Sequence, residues 1–274
     1  TNGETFYSGK IADQIDAFSK EYDGYLRKTD LQNFKPEWVD PISVSYKGYN
    51  VWEIPPNGQG IVALMALNII ENFNFKERER LEVYHRQIEA MKLAFADGLE
   101  YVSDSKVMKM SVSDLLSKKY ASSRAKLISK TAEIRTSGKP NSSGTVYLAT
   151  ADNDGNMVSM IQSNYMGFGS GLVVPNTGIA LHNRGHNFSL DDTKDNCLAP
   201  NKRPYHTIIP GFLTKGKVPV GPFGVMGGFM QPQGHMQVVM NLIDFHMNPQ
   251  SALDAPRWQW IAGNKISVEP SVPK

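Results

Sequence analysis

The stretch that decides the fold runs from Gly144-Thr-Val-Tyr-Leu-Ala-Thr-Ala151, through the turn Asp152-Asn-Asp-Gly-Asn156, to Met157-Val-Ser-Met-Ile-Gln-Ser163. Two runs rich in β-branched and apolar residues, joined by an Asp-Gly pair, predict a β-hairpin. Apolar residues occur on both faces of each run, which predicts strands covered on both sides. The segment Gly167-Phe-Gly-Ser-Gly171 follows and predicts a backbone bend near the start of the hairpin.

Thr145 opens this hairpin and is a candidate nucleophile. A threonine hydroxyl needs a base beside it, and one available base is the α-amine of the same residue. That amine exists only after the Gly144–Thr145 peptide bond is cut, so this bond is a candidate self-cleavage site. Residues 131–143 are rich in Ser, Gly, Pro and Asn, which predicts a flexible linker before it. Taken alone, a threonine at a strand start is more often a structural residue.

Other parts of the chain carry apolar residues at helical spacing. The predicted helices cover residues 10–22, 60–71, 81–99, 111–130 and 233–246. On the third of these, Glu82, Arg86, Glu89 and Lys92 are predicted to form a solvated face. Two short strands are predicted within residues 41–54, around Lys47-Gly48.

Several short motifs together resemble the γ-glutamyltranspeptidase family. Besides the hairpin and the glycine-rich segment, they are Phe6-Tyr-Ser-Gly-Lys-Ile-Ala12, Pro55-Pro-Asn-Gly-Gln-Gly60, Thr177-Gly-Ile-Ala-Leu-His-Asn183, Pro200-Asn-Lys-Arg-Pro204, Met226-Gly-Gly228 and Ala255-Pro-Arg-Trp258. The resemblance implies an α+β fold, the αββα four-layer sandwich of N-terminal-nucleophile hydrolases. Residues 1–144 would be the C-terminal part of a large subunit and residues 145–274 a small subunit beginning at the nucleophile. Compared with the family pattern, the chain looks truncated at both ends.

The resemblance also implies an activity, the hydrolysis or transfer of an amide's acyl group through an acyl-enzyme on Thr145. It assigns Gly227 and Gly228 to the oxyanion hole, where backbone N–H groups face the developing charge. It further places a polar segment at Ser163, Asn164 and Tyr165 to support the nucleophile and the substrate. The family's usual asparagine falls one position after Asn164. Either Asn164 takes that role through a local shift or Tyr165 replaces it, and ordinary strand-end residues are the alternative.

The predicted substrate pocket departs from the γ-glutamyl pattern. Where the family has Asn-x-x-Asp-Asp-Phe, this chain has Asn183-Arg-Gly-His-Asn-Phe188, and His206-Thr207 replaces a Ser-Ser pair. A pocket without those carboxylates should bind a substrate ammonium poorly. A carboxylate-bearing or neutral acyl group would suit it better. The surrounding motifs resemble an amidohydrolase and acylase subgroup that includes oxamate-type hydrolysis. The predicted substrate-binding residues are Ser163, Tyr165, Asn183, Arg184, His186, Asn187, His206 and Thr207.

Composition narrows the classes of partner. With 29 basic and 27 acidic residues and a net charge of +2, the sequence gives no sign of a nucleic-acid or membrane surface. Cys197 is the single cysteine, and His182 with His186 lacks a third ligand, so we expect no metal and no cofactor. The expected partners are a small-molecule amide substrate and the chain's own cleavage products as a heterodimer, or a dimer of these. The compartment stays open between cytoplasmic and secreted or periplasmic, because a targeting segment would lie upstream.

A second hypothesis is an inactive or unprocessed family fragment that acts, if at all, as a binding module. The Ser163-Asn164-Tyr165 departure favours it, whereas the retained Thr145 and glycine pair favour an enzyme.

Overall fold

The protein combines α-helices with antiparallel strands, and the computed structural model describes residues 3–134 and 144–273. The helices are α1 Glu4–Tyr7, α2 Lys10–Glu21, α3 Lys28–Asn33, α4 Gly60–Ile70, α5 Leu81–Tyr101, α6 Val112–Leu115, α7 Lys118–Ala125, α8 Met230–Ile243 and α9 Pro249–Asp254. The strands are β1 Ile42–Tyr46, β2 Tyr49–Glu53, β3 Thr145–Ala151, β4 Met157–Ser163, β5 Val173–Val174, β6 Ile179–Ala180, β7 Gly211–Lys215, β8 Val218–Phe223, β9 Trp258–Ala262 and β10 Lys265–Val268. The predicted linker at residues 131–143 falls largely outside the described residues.

The main sheet has four antiparallel strands in the order β1-β2-β7-β8. The predicted hairpin is present as β3 and β4, which pair from Thr145 opposite Ser163 to Ala151 opposite Met157. This hairpin packs against the main sheet, because the Ser159 hydroxyl donates to the Gly211 carbonyl at 2.9 Å. The result is a second strand layer against the first, with Thr145 at its open end.

Helices cover the other side of the main sheet. Every residue of α4 is buried, as its continuous apolar sequence predicts. Helices α5 and α8 join it in one hydrophobic core with β1, β2 and β7. One face of α8, formed by Met236, Val239, Met240 and Ile243, is buried in that core. The described residues thus supply three successive layers: helices, sheet and hairpin.

The predicted solvated face of α5 is wrong at two positions. Glu89 and Lys92 are each 1% exposed and form an ion pair at 2.5 Å. The Lys92 ammonium also donates to the carbonyl of Glu133, so the chain after α7 lies over this part of α5. A charged residue on a helix face is buried when it finds such partners, which helical spacing alone does not reveal.

The predicted helix at 111–130 is two helices. Ser117 interrupts it by capping α7, where its hydroxyl accepts a hydrogen bond from the Tyr120 N–H at 3.2 Å.

The expectation that both faces of the hairpin are covered holds for one face only within the described residues. On the outer face Val146 is 59% and Val158 51% exposed.

Candidate active site

Thr145 lies where three segments of the chain meet. It is the first residue of β3, directly opposite Ser163 at the end of β4. The Ser163 hydroxyl donates to the Gly144 carbonyl at 3.0 Å and accepts from the Tyr165 N–H at 2.8 Å. Ser163 therefore holds the carbonyl of the predicted scissile bond. The predicted bend lies beside it, since a Cβ on Gly144 would be 3.2 Å from the Gly167 carbonyl oxygen.

Gly227 and Gly228 form the turn that leads into α8. Their φ angles are +114° and +59°, a region of backbone space that favours glycine. Their carbonyls accept from the N–H groups of Met230 at 2.9 Å and Gln231 at 3.1 Å. Their own N–H groups donate to nothing within the described part of the chain. Two adjacent free N–H donors at a helix start are what an oxyanion hole requires.

Gln59, which the sequence reasoning missed, connects this turn to the predicted pocket. It immediately precedes α4 and is fully buried. Its side-chain amide donates to the Gly228 carbonyl at 2.8 Å and to the Thr207 carbonyl at 2.6 Å. Its backbone N–H donates to the His206 carbonyl at 2.9 Å. The signal in the sequence was slight, a single amide side chain just before a continuous apolar helix.

Arg184 is the buried cation of the pocket. Only 4% of it is exposed, and its guanidinium donates to the Thr207 hydroxyl at 2.9 Å and to the Ser163 carbonyl at 3.1 Å. It also lies 5.5 Å from the centre of the Tyr165 ring, in a cation–π arrangement. Burial lowers the pKa of Arg184 to about 10, which leaves the group charged at neutral pH.

Two histidines lie near this cation. Burial, followed by the charge of Arg184 and the proximity of His182, lowers the pKa of His206 to about 3. Burial and Arg184 also lower the pKa of His182. His182 was not predicted as a pocket residue. His186 was, and its ring centre lies 6.2 Å from that of Tyr165.

The predicted asparagines lie close together, and most of their hydrogen bonds are to backbone groups of the protein itself. The Asn164 carbonyl accepts from the Asn183 N–H at 3.3 Å, and the Asn183 side-chain oxygen accepts from the Met166 N–H at 3.2 Å. The Asn187 amide donates to the Tyr205 carbonyl at 2.9 Å. At the position after Asn164, the side chain that faces Arg184 is that of Tyr165, which is 2% exposed.

Comparison with known proteins identifies the family of this chain. A model of the γ-glutamyltranspeptidase family matches residues 1–274. The chain belongs to that family. The resemblance seen in its motifs is therefore confirmed.

Curated relatives of this chain carry several different enzyme names. The glutathione hydrolase-like YwrD proenzyme of Bacillus subtilis is 39% identical over 257 residues, which are 93% of this chain and 49% of that protein. The oxamate amidohydrolase proenzyme of Klebsiella pneumoniae is 32% identical over 257 residues, 93% of this chain and 48% of that protein. The chain thus spans about half the length of the curated relatives it matches.

A solved relative confirms the fold. The crystal structure of cephalosporin acylase from Bacillus halodurans is 64% identical and superposes with a TM-score of 0.95, over 99% of this chain and 50% of that one. The predicted α+β fold of the N-terminal-nucleophile hydrolase type is therefore correct. Within residues 3–134 and 144–273, no helix is long and apolar enough to cross a membrane.

Proposed function

We propose that this chain is part of a self-processing N-terminal-threonine hydrolase or acyltransferase. That enzyme would cleave an amide bond. Cleavage between Gly144 and Thr145 would end the large subunit at residue 144 and begin the small subunit at residue 145. The observation that carries the proposal is the position of Thr145, at the mouth of the hairpin with the preceding carbonyl held by Ser163. Proenzyme names among the relatives agree with such processing.

The first reaction in this proposal is the cleavage itself. The Thr145 hydroxyl attacks the carbonyl carbon of Gly144, its proton passes to the backbone nitrogen of Thr145, and the C–N bond between the two residues breaks. The carbonyl oxygen, which accepts from the Ser163 hydroxyl, carries the developing negative charge. The resulting ester is hydrolysed by water, which leaves a carboxyl group on Gly144 and a free amine on Thr145.

Turnover then uses the amine just released. It takes the proton of the Thr145 hydroxyl as that oxygen attacks the substrate amide. The free N–H groups of Gly227 and Gly228 are suited to stabilise the oxyanion. The amine of the substrate leaves with a proton, and an acyl ester remains on Thr145. Water resolves the ester in hydrolysis, and an acceptor amine resolves it in transfer.

The acyl specificity that we propose differs from γ-glutamyl recognition. The segment from Asn183 to Phe188 contains no carboxylate that could pair with a substrate ammonium, and Arg184 adds a buried positive charge. Relatives named oxamate amidohydrolase, acylase and cephalosporin acylase support a different acyl group. At minimum, we propose an amidase whose substrate carries no ammonium on the α-carbon of its acyl group.

Intact-mass measurement of the full-length natural protein tests the proposal, with Thr145→Ala and Thr145→Ser variants alongside. We expect two chains that meet between Gly144 and Thr145 in the wild type, slower formation of both in T145S, and a single uncut chain in T145A. An uncut wild-type chain would contradict the proposal and favour a binding module. Turnover of γ-glutamyl p-nitroanilide as fast as that of acyl anilides without the ammonium would contradict the specificity.

A further inference from the structure

The side chains of Glu53, at the end of β2, and His235, on α8, form a hydrogen-bonded pair in the protein interior. We propose that this pair positions the turn of Gly227 and Gly228 for acyl transfer. The inference rests on the proposed function, since it assigns two positioning residues to the same oxyanion turn. Both side chains are enclosed by protein, so they act through the turn and not by touching the substrate.

The pair is buried but only partly satisfied. Glu53 is 1% exposed and His235 0%, and Oε1 of the one lies 2.6 Å from Nδ1 of the other. The second polar atom of each side chain, Oε2 of Glu53 and Nε2 of His235, has no hydrogen-bond partner among the described residues. Burying polar groups with atoms left unpaired adds little to stability. The main effect of the pair is therefore to fix β2 and α8 relative to each other.

His235 closes the loop that contains the oxyanion turn. This loop leaves β8 after Phe223 and enters α8 at Met230. At its base, the centre of the His235 ring lies 4.8 Å from that of the Phe223 ring. Beside this contact Val225 packs against Gly234, where an added Cβ would lie 2.5 Å from the Val225 side chain. The start of the loop is therefore held against the first turns of the helix into which its end runs.

Glu53 connects His235 to the residue that holds the turn. Its carboxylate lies against the start of α4, since a Cβ added to Gly60 would be 3.0 Å from Oε2 of Glu53. Gln59 immediately precedes Gly60, and its amide donates to the Gly228 carbonyl at 2.8 Å. The start of α4 thus contacts the turn through Gln59 and α8 through the pair. Without the pair, α8 can shift against α4 and displace the N–H groups that would face the oxyanion.

His235→Leu tests the inference in the full-length natural protein. The probe is the acyl p-nitroanilide, without an ammonium on the α-carbon, that the wild type hydrolyses fastest. We expect H235L to lower kcat by about tenfold or more and to change KM by less than about threefold. His235→Asn keeps a hydrogen-bonding atom near the position of Nδ1, and we expect its kcat to stay within about threefold of the wild-type value.

The rate of self-cleavage separates a positioning role from general damage to the fold. In the proposed cleavage the Ser163 hydroxyl, and not the glycine turn, donates to the Gly144 carbonyl. We therefore expect H235L to be cut between Gly144 and Thr145 at a rate within about threefold of the wild type, followed by intact mass over time. Cleavage slowed as much as turnover would show general damage and overturn the positioning role.

Asn241→Leu is the matched control on the same helix, further along α8 from the turn. Asn241 is 2% exposed, and its side chain accepts from Nε of Arg78 at 2.9 Å and donates to the Ala252 carbonyl at 3.1 Å. N241L therefore also takes a hydrogen-bond partner from a buried charged group. We expect it to lower the melting temperature as H235L does and to keep kcat within about threefold of the wild type.

If H235L does not fold, the double variant Glu53→Leu with His235→Leu removes both polar groups and leaves no unpaired charge in the core. It should fold and show the same loss of kcat. Wild-type kcat in H235L or in the double variant, equal losses in H235L and N241L, or equal losses in H235L and H235N overturn the positioning role alone. A wild-type chain that stays uncut and hydrolyses no acyl anilide overturns the proposed function together with it.

Discussion

At the scale of single residues, a few side chains link the nucleophile to the pocket. Ser163 contacts both the Gly144 carbonyl and Arg184, and Arg184 in turn contacts Thr207. The reacting bond and the pocket are therefore held by consecutive hydrogen bonds. A change in any of these groups should alter processing and substrate binding together.

The half-buried His206 should make the protein sensitive to acid. Its pKa falls from 6.5 to about 3 on folding, so only the unfolded chain binds a proton between these values. Stability contributed by the neutral ring is fully present above pH 6.5 and is lost as the pH falls toward 3. At pH 5 the loss is on the order of 2 kcal/mol. His206→Asn removes this loss and keeps a side-chain acceptor for the Ile208 N–H.

Urea unfolding at pH 7 and pH 5 measures the effect of H206N. We expect the variant to lose less unfolding free energy than the wild type between the two pH values. His246→Asn is the control, because His246 is exposed and its backbone is in the left-handed region that asparagine tolerates. Equal losses in wild type, H206N and H246N would show that His206 does not carry the acid sensitivity.

The candidate site could be predicted from sequence only where a motif marks it. Thr145 and the pair Gly227-Gly228 stand in recognisable motifs. The structure places Thr145 at the open end of the hairpin and the glycine pair before α8, and we propose their roles on that basis. Gln59 and His182 lie inside the motifs at residues 55–60 and 177–183, but nothing in the local sequence assigns either side chain a role in the pocket. Their importance comes from partners more than a hundred residues away for Gln59, and from the proximity of Arg184 for His182.

At the scale of elements, the periodic sequence predicted the four longest helices, α2, α4, α5 and α8. The limits of α4 and α5 differ from the prediction by one or two residues, because their apolar patterns are long and regular. The break between α6 and α7 was missed, since a serine cap inside a polar stretch leaves no change in period. The burial of Glu89 and Lys92 was missed for a related reason, because helical spacing cannot show which charges find a partner.

The contact between the start of α4 and the start of α8 should matter for the rate of acyl transfer. Gln59 fixes the Gly228 carbonyl, and this orients the peptide whose neighbouring N–H groups would form the oxyanion hole. We expect Gln59→Met to lower kcat by about tenfold or more and to change KM by less than about threefold. Steady-state kinetics with any anilide that the full-length wild type hydrolyses will measure both values.

Gln237→Met is the matched control for this experiment. Gln237 is 3% exposed, and its amide also donates to two backbone carbonyls, those of Gln233 and Trp258, at 3.0 Å each. Each variant removes two hydrogen bonds that the side-chain amide donates and one that its oxygen accepts, and both should lower the melting temperature similarly. Equal losses of kcat in Q59M and Q237M would mean that Gln59 supports only the stability of the fold.

At the scale of the whole molecule, the main sheet is covered on both faces, whereas the hairpin is covered on one. The main sheet has helices on one face and the β3–β4 hairpin on the other, where Tyr147 packs against Gly224. The outer face of the hairpin exposes Val146, Leu148, Val158 and Met160. A strand pair with apolar residues on both faces is stable when both are covered, so this face is suited to a second helical layer.

We therefore expect polypeptide outside this chain to cover the hairpin in the complete protein, whose relatives are about twice as long. Leu148 and Met160 lie directly opposite each other on the open face. The double substitution Leu148→Lys with Met160→Glu keeps a favourable pair across the strands but removes two apolar side chains from any covering layer. In the full-length protein it should lower the unfolding free energy by roughly 2–5 kcal/mol, measured by urea unfolding. Leu190→Lys is the control, since Leu190 is 90% exposed. If the double variant is as stable as L190K, the outer face is open to solvent in the complete protein as well.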